Sequence, residues 1–318
     1  MKFVAFALSV LTAFAACAQG YPNRPVKVVV PYAAGGLPDT IARLVGQKLG
    51  ESLGQQMVVE NRGGAGGIVG TNEVAKAAPD GYTLLVADVT QIAVNPHLFS
   101  NLPYEPLKEL TGVSLLGTSP LYLVAHPSLA ANDMKELIAL VRSQPGKISY
   151  GSSGLGSIHH LAMEALKTGL KLDLVHVPYK GTGQSVPALL GGQVALLYSA
   201  LPSIEPHVKA GKVKILAIST AQRSPQTAEV PTVAESGIPG YEFIAEIGYY
   251  APAGTPREIV SRLAAEAQKA LKQPEVVQRF RQLGIDPVGS TPDAYNAANR
   301  ASFEKYAKVV RAAGVKIE

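Results

Sequence analysis

The segment from Lys27 to Gly54 constrains the fold of this chain more than any other. It begins with the run Val28–Val30, which is typical of a parallel strand buried on both faces. Gly35 and Gly36 allow a sharp turn, and apolar residues then recur at helical spacing as far as Leu53. Open α/β sheets build binding crevices from such strand–loop–helix units, and the amides at the helix start attract anions. The segment therefore predicts one wall of a ligand cleft.

A second unit of the same kind lies in the other half of the chain. The run Ile148–Tyr150 predicts a strand, the glycine- and serine-rich segment 151–157 predicts a loop, and a helical pattern follows from His159. Two such units could face each other across a cleft. The glycines at 63–67 do not form a nucleotide-binding loop, because Val69 occupies the last glycine position of the dinucleotide motif. They predict a tight turn instead.

Length and composition restrict the class of protein. The chain has 318 residues, which suggests two domains, and 47% hydrophobic with 17% charged residues indicates a well-packed globular protein. The net charge of +5 comes from scattered basic residues, so we expect no nucleic-acid partner. Nothing in the sequence predicts a cofactor, a metal site or a catalytic residue.

The N-terminus predicts export to the periplasm. Lys2 precedes an apolar run that ends in Ala16-Cys17-Ala18, which indicates a signal peptide over residues 1–18. The alternative is a lipoprotein acylated at Cys17, although Phe14 stands where such sites usually have leucine.

The remaining pattern predicts how the chain passes between two domains. Thr111–Val124 suits a strand that leaves the first domain, and Phe243–Ala251 suits one that returns to it. Thr255-Pro256 and Thr291-Pro292 each predict a helix with threonine as the N-cap and proline at the first helical position.

Several sequence blocks resemble one family along the chain from Tyr21 to the C-terminus. They are YPNRPVKVVVPYAAGG with Asp39, VVENRGGAGG, APDGYTLL, NPHL, PGKISYGSSGLGS with His160, VHVPYKG, LLGGQV, VPTVAESGIPGYE and APAGTP. In these blocks the chain resembles the extracytoplasmic solute receptors of tripartite tricarboxylate transporters, of the Bordetella-uptake-gene type.

The resemblance implies an α/β, two-domain periplasmic binding protein fold of the type II sort, with the ligand cleft between the domains. The expected division is residues 22–120 with 226–318 in domain 1 and residues 121–225 in domain 2. The partners it implies are a small-molecule ligand, chiefly a carboxylate, and the membrane permease subunits, with the receptor acting as a monomer. The ligand-binding residues that we expect are Tyr32, Ala33, Ala34, Gly35, Gly36, Asp39 (orienting a water), Asp88, Thr90, Ser153, Gly156, Ser157, Tyr179, Ser199 and Glu246.

Departures from the family pattern bear on the ligand. Asp88 stands where a hydroxyl residue is common, and Glu246 stands where an aromatic residue is common. If both face the cleft, they would repel an unaccompanied dianion. The sequence thus leaves two ligand classes open: a simple mono- or dicarboxylate, and an amino acid or other nitrogen-bearing compound.

Two other functions would use parts of the same sequence. A serine–histidine hydrolase would use His159 or His160 with the nearby serines, but the G-x-S-x-G motif is absent because Leu155 takes its fifth position. A signalling receptor, read by a membrane sensor in place of a permease, needs the same closure around its ligand. The sequence does not separate signalling from transport.

Overall fold

Two β-sheets flanked by helices form the described part of the molecule. The structure is a computed structural model that describes residues 20–313. We call the part of the chain built around each sheet a lobe. The predicted signal peptide and Cys17 lie outside the described residues. Within the described range, no helix combines the length and the apolar character needed to cross a bilayer.

The first sheet has six strands in the order β11-β4-β10-β3-β1-β2. β1 pairs in parallel with β2 and β3, whereas β10 runs antiparallel to both β3 and β4. The strands span β1 Val26–Val30, β2 Met57–Asn61, β3 Thr83–Ala87, β4 Leu110–Pro120, β10 Ile244–Pro252 and β11 Asp286–Pro287.

The second sheet has five strands in the order β7-β6-β8-β5-β9. β6 pairs in parallel with β7 and β8, and β5 runs antiparallel to β8 and β9. These strands span β5 Tyr122–Ala125, β6 Ser149–Ser152, β7 Val175–Pro178, β8 Leu196–Ser199 and β9 Lys214–Ile218.

Helices cover both sheets. Their bounds are α1 Leu37–Leu53, α2 Ile68–Ala75, α3 Asn95–Leu98, α4 Pro106–Glu109, α5 Met134–Ser143, α6 Ile158–Leu170, α7 Thr182–Leu190, α8 Leu201–Lys209, α9 Arg257–Lys272, α10 Pro274–Gln282 and α11 Pro292–Ala313. A π-helical turn spans Thr90–Val94, and short 3-10 turns span Ala65–Gly67, Pro225–Thr227 and Ala234–Ser236.

The first strand–loop–helix unit forms as its sequence predicts. Pro38 lies in the first turn of α1, where its missing N–H costs nothing, and the helix buries Ile41, Val45 and Leu49 against the sheet. Gly54 ends the helix in the left-handed conformation, with φ of 71°, which glycine adopts without strain. The result is a rigid helix whose start follows directly on the β1 loop.

The chain crosses between the lobes twice, and Ser219 joins the two crossings. One crossing runs from β4 into β5, and the other runs from β9 to β10. The Ser219 hydroxyl accepts a hydrogen bond from the Leu121 amide at 2.9 Å and donates to the Phe243 carbonyl. Ser219 is fully buried, and its backbone adds to these contacts: its amide donates to the Leu121 carbonyl at 2.8 Å, and its carbonyl accepts from the Phe243 amide at 3.0 Å.

Three details differ from the sequence prediction. The Thr111–Val124 run is two strands in different sheets, separated at Leu121, which directly follows Pro120. Thr255 is not an N-cap: its hydroxyl donates to the Pro252 carbonyl, and the helix begins at Arg257. Helices α8 and α10 were not predicted from the sequence.

Candidate functional site

The predicted ligand loops lie where the lobes meet. In the first lobe, residues 31–36 follow β1 and residues 88–90 follow β3. In the second lobe, residues 153–157 follow β6 and residues 179–181 follow β7. Both pairs of strands are parallel, so each pair of loops emerges at one edge of its sheet. The four loops thus form two opposed surfaces.

These surfaces are closed on each other. The Ala33 amide donates to the Lys180 carbonyl at 2.9 Å, and the Ser203 hydroxyl donates to the Gly35 carbonyl at 3.2 Å. The fit is tight around Gly36, where an added Cβ would lie 2.7 Å from the Thr182 hydroxyl oxygen. The lobes therefore touch through backbone groups of the predicted loops.

Asp39 fixes the shape of the first loop. Its buried carboxylate accepts hydrogen bonds from the Gly35 amide at 3.0 Å, the Asn61 amide nitrogen at 3.0 Å and Arg43 Nε at 3.1 Å. Burial opposes ionisation of Asp39, but the hydrogen bonds from Arg43, Gly35 and Asn61 outweigh it, so its pKa is lowered. Asn61 also donates to the Tyr32 carbonyl at 3.2 Å. Asp39 thus holds the loop through protein groups.

Two amides of the first loop remain available. Ala33 and Gly35 donate to Lys180 and Asp39, whereas the amides of Ala34 and Gly36 donate no hydrogen bond within residues 20–313. They lie at the positive end of α1, which has seventeen residues. Such amides can bind an anion without a salt bridge.

Asp88 points into the protein and is only 2% exposed. Its carboxylate accepts hydrogen bonds from the Tyr32 hydroxyl, at 3.0 and 2.9 Å, and from the Thr90 amide at 2.7 Å. Burial raises the pKa of Asp88, and the bonds from Thr90 and Tyr32 partly offset this effect. Asp88 therefore supports Tyr32 instead of presenting a free charge to the cleft.

Gln91 completes this buried network and was not among the residues predicted from the sequence. Its side chain accepts from the Asp88 amide at 3.2 Å and donates to the Tyr32 hydroxyl at 2.8 Å and the Gly66 carbonyl at 3.1 Å. A Cβ on Gly67 would overlap the Gln91 side chain, so this glycine is needed for the close approach. The glycine-rich turn is thereby tied to the strand-end loops, a link that only the tertiary fold reveals.

The start of α6 differs from the expectation of unpaired amides. The Gly156 amide donates to His160 Nδ1 at 3.1 Å, and the His160 amide donates to the Ser157 hydroxyl at 3.3 Å. The Ile158 amide donates across the lobe boundary to the Thr90 hydroxyl at 3.2 Å. The expectation is wrong for these three amides, because side chains satisfy them. Thr90 and Ser157 therefore help to hold the closed interface.

Three further predicted residues have different surroundings. Ser199 is fully buried, and its hydroxyl donates to the Ala200 carbonyl at 3.3 Å. Tyr179 is half-buried and packs against the second-lobe core. Glu246 is half-buried on β10, two residues before Gly248, which pairs with Ala87 at the end of β3. It therefore lies just beyond the carboxyl end of β3.

The carboxylate of Glu246 makes no hydrogen bond or ion pair within residues 20–313. Burial raises the pKa of Glu246, and the positive charge of Lys305 partly lowers it. Of Asp88 and Glu246, only Glu246 has a carboxylate without a hydrogen-bond or ion-pair partner among the described residues.

A family model of known proteins matches most of the chain. The family model described as "Tripartite tricarboxylate transporter family receptor" (TctC) matches residues 41–315. The chain belongs to the TctC family. Its members are periplasmic solute-binding receptors and not enzymes.

Relatives cover almost the whole TctC chain. Protein BugT of Bordetella pertussis is 39% identical over 306 residues, covering 95% of this chain and 93% of its own. An R. palustris protein solved with adipate superposes with a TM-score of 0.90 at 34% identity, covering 93% and 99% of the two chains. MatC of Rhodopseudomonas palustris with bound malate gives a TM-score of 0.87 at 36% identity, covering 91% and 100%. The fold is that of periplasmic binding proteins, as predicted.

Family membership also gives the serine–histidine pairs of this receptor a meaning other than catalysis. Ser153 Oγ lies 2.7 Å from His159 Nδ1, and Ser152 Oγ lies 2.6 Å from His176 Nε2. These distances would suit an activated nucleophile. In a binding protein the same contacts shape the 152–157 loop.

Proposed function

We propose that this TctC receptor captures a small carboxylate between its lobes and delivers it to the membrane subunits of a tripartite transporter. The contact between opposed strand-end loops, in which the Ala33 amide meets the Lys180 carbonyl, is the observation that carries the proposal. It matches a cleft that closes around its guest. Relatives that superpose on the chain hold adipate and malate.

The predicted residues divide the work of binding. The free amides of Ala34 and Gly36 bind one carboxylate of the ligand, and the positive N-terminal end of α1 adds to this attraction. On the opposite side of the cleft, the ligand meets Ser153 and Gly156. The loops are supported from behind by Asp39, Asp88, Thr90 and Ser157. Tyr32, Ala33, Gly35, Tyr179 and Ser199 complete the walls.

The same proposal covers the organisation of the receptor. Domain 1 comprises residues 22–120 with 226–318, and domain 2 comprises residues 121–225, with the two crossings near Ser219 as the hinge. Residues 1–18 direct export and are then removed, and the mature receptor acts as a monomer.

Glu246 narrows the class of ligand that we expect. Its half-buried carboxylate beyond β3 has no internal partner within the described residues, so a ligand amine or other hydrogen-bond donor can satisfy it. A ligand that carries both a carboxylate and such a donor, for example an amino dicarboxylate, fits this arrangement better than a simple dicarboxylate.

Calorimetric titration of the mature protein tests the proposal. Malate, adipate, aspartate and glutamate are compared on the wild type and on Glu246→Gln. We expect binding of at least one of these carboxylates. If the amino group meets Glu246, the substitution lowers affinity for the amino acid about tenfold or more and spares malate, because a charge-assisted hydrogen bond contributes about 1.5–3 kcal/mol.

The control is Glu242→Gln, at a nearby exposed carboxylate outside the proposed contacts. No binding of any carboxylate would contradict the ligand class. An unchanged ratio of amino-acid to malate affinity in Glu246→Gln would contradict only the role of Glu246.

A further inference from the structure

Three histidines surround the ligand loop of the second lobe. His159 and His160 lie in the first turn of α6, and His176 lies on β7. His159 contacts Ser153, His176 contacts Ser152, and His160 accepts from the Gly156 amide. Each imidazole thus contacts a different residue of the segment 152–157.

His160 and His176 also form a stack. Their ring centroids lie 4.0 Å apart with an interplanar angle of 12°, and the Tyr150 ring stacks on His176 at 4.8 Å. Two imidazolium rings could not share this geometry, because like charges in face-to-face contact repel each other. The stack therefore allows at most one of the two rings to be charged.

The hydrogen bonds fix the proton positions. His160 Nδ1 accepts from the Gly156 amide, so in the neutral ring the proton is on Nε2. Ser152 Oγ donates to the Gly154 carbonyl at 3.0 Å, so His176 Nε2 must donate to Ser152. Protonation of His160 at Nδ1 would place a donor against the Gly156 amide and break that bond.

The titratable groups that face the stack come from three elements. On α6, Glu164 Oε1 lies 4.0 Å from His160 Nε2, and Lys167 pairs with Glu164 at 2.7 Å. On β6, the Tyr150 hydroxyl donates to the same carboxylate. On β7, the facing group is His176 itself. Lys167 and Tyr150 thus engage Glu164, which leaves it a poor counter-ion for an imidazolium.

We propose that His160 is a positioning residue for ligand capture: as a neutral acceptor stacked on His176, it holds the Gly156 amide and the 152–157 loop in the shape that the closed cleft needs. This inference rests on the proposed function, in which that loop lines the ligand. His160 acts through the loop and need not touch the ligand.

The direction of the pH dependence follows from the buried state of the rings. Burial lowers the pKa of His160 to about 4 and, together with the neighbouring His160, that of His176 to about 3. In an opened loop, exposed rings would regain the ordinary value of about 6.5. Opening therefore takes up protons, and the held loop loses stability as the pH falls from about 6.5 towards 4.

The test compares His160→Ala and His160→Asn in the mature protein. An asparagine Oδ1 can take the place of Nδ1 as acceptor but does not titrate. Ligand-free amide exchange is measured for residues 152–157. We expect exchange of the Gly156 amide to rise about fivefold or more in His160→Ala and to stay near wild type in His160→Asn. After correction for intrinsic rates, the exchange rate should depend less on pH in His160→Asn than in the wild type.

His126→Ala is the matched control, because His126 makes a similar contact with Ser128 at the end of β5, away from the loop. Unchanged exchange in His160→Ala, or equal acceleration in His160→Asn, would overturn the proposal. Titration with malate and adipate follows on the same variants, with affinity expected to fall in His160→Ala and recover in His160→Asn. If the wild type binds neither of these, and neither aspartate nor glutamate, the proposed ligand class fails, whereas the exchange result still decides the role of His160.

Discussion

The Tyr32 hydroxyl donates to the Asp88 carboxylate and lies 3.0 Å from Oδ1 and 2.9 Å from Oδ2. Asp88 is only 2% exposed. This contact joins the loop after β1 to the loop after β3. It explains how an acidic residue can lie beneath the proposed anion site: its charge is directed at a hydroxyl and an amide of the protein.

Tyr32→Phe removes the hydroxyl and leaves the buried carboxylate with one donor fewer. We expect the free energy of unfolding to fall by about 1–3 kcal/mol, the usual cost of an unsatisfied buried polar group. Urea denaturation at pH 7 measures the change. Tyr82→Phe, which removes an exposed hydroxyl bonded to Asn23, is the control and should change stability by less than about 0.5 kcal/mol.

Asp88→Asn tests the charge itself. Because burial raises the folded-state pKa of Asp88, the folded protein loses stability as the pH rises through that raised value. Asparagine keeps an acceptor for Tyr32 and Thr90 but cannot ionise. The stability of Asp88→Asn relative to the wild type should therefore increase between pH 4 and pH 8, as followed by urea denaturation. A relative stability that decreases over this range would contradict the raised pKa.

Gly183→Ala tests closure. Gly183 is in the first turn of α7, and an added Cβ would overlap the Ala34 carbonyl oxygen of the other lobe. The closed state should be destabilised, whereas each lobe keeps its packing. We expect affinity for the ligand found in the titrations to fall at least about tenfold, with little loss of thermal stability, since affinity scales with the population of the competent state.

Gly191→Ala is the control for this substitution. Gly191 follows the end of α7, and its added Cβ would meet only its own helix at 3.4 Å or more. Equal affinities for Gly183→Ala and the wild type would show that the ligand-bound lobes do not approach as closely as in this structure.

Much of the first lobe could be predicted from the sequence, because its signals are local. The valine run of β1, the turn at Gly35 and Gly36, and the capping Gly54 each act within a few residues. The pairing of β1 with β3 places the two loops at one edge of the sheet. The sequence could therefore predict that these two loops lie side by side.

The supporting contacts could not be predicted in the same way. Gln91 reaches Gly66 across 25 positions, and Thr90 meets Ile158 across 68. The direction of the Asp88 side chain depends on Tyr32, and this contact has no sequence signature. Family patterns predicted which loops form the cleft, and these loops do meet at the boundary between the lobes, whereas tertiary packing decides which of their groups are already engaged.

Ser219→Ala tests the proposed hinge. The substitution leaves the Leu121 amide and the Phe243 carbonyl without their common partner in a fully buried position. We expect the free energy of unfolding to fall by about 1–3 kcal/mol. Because Ser219 joins the two crossings, amide exchange should rise most in residues 119–123 and 241–245. Ser143→Ala removes an exposed hydroxyl bonded to Leu140 and serves as control, with a change within about 0.5 kcal/mol. Acceleration spread evenly over both sheets would mean that Ser219 contributes to general packing, and that the crossings are held together by other contacts.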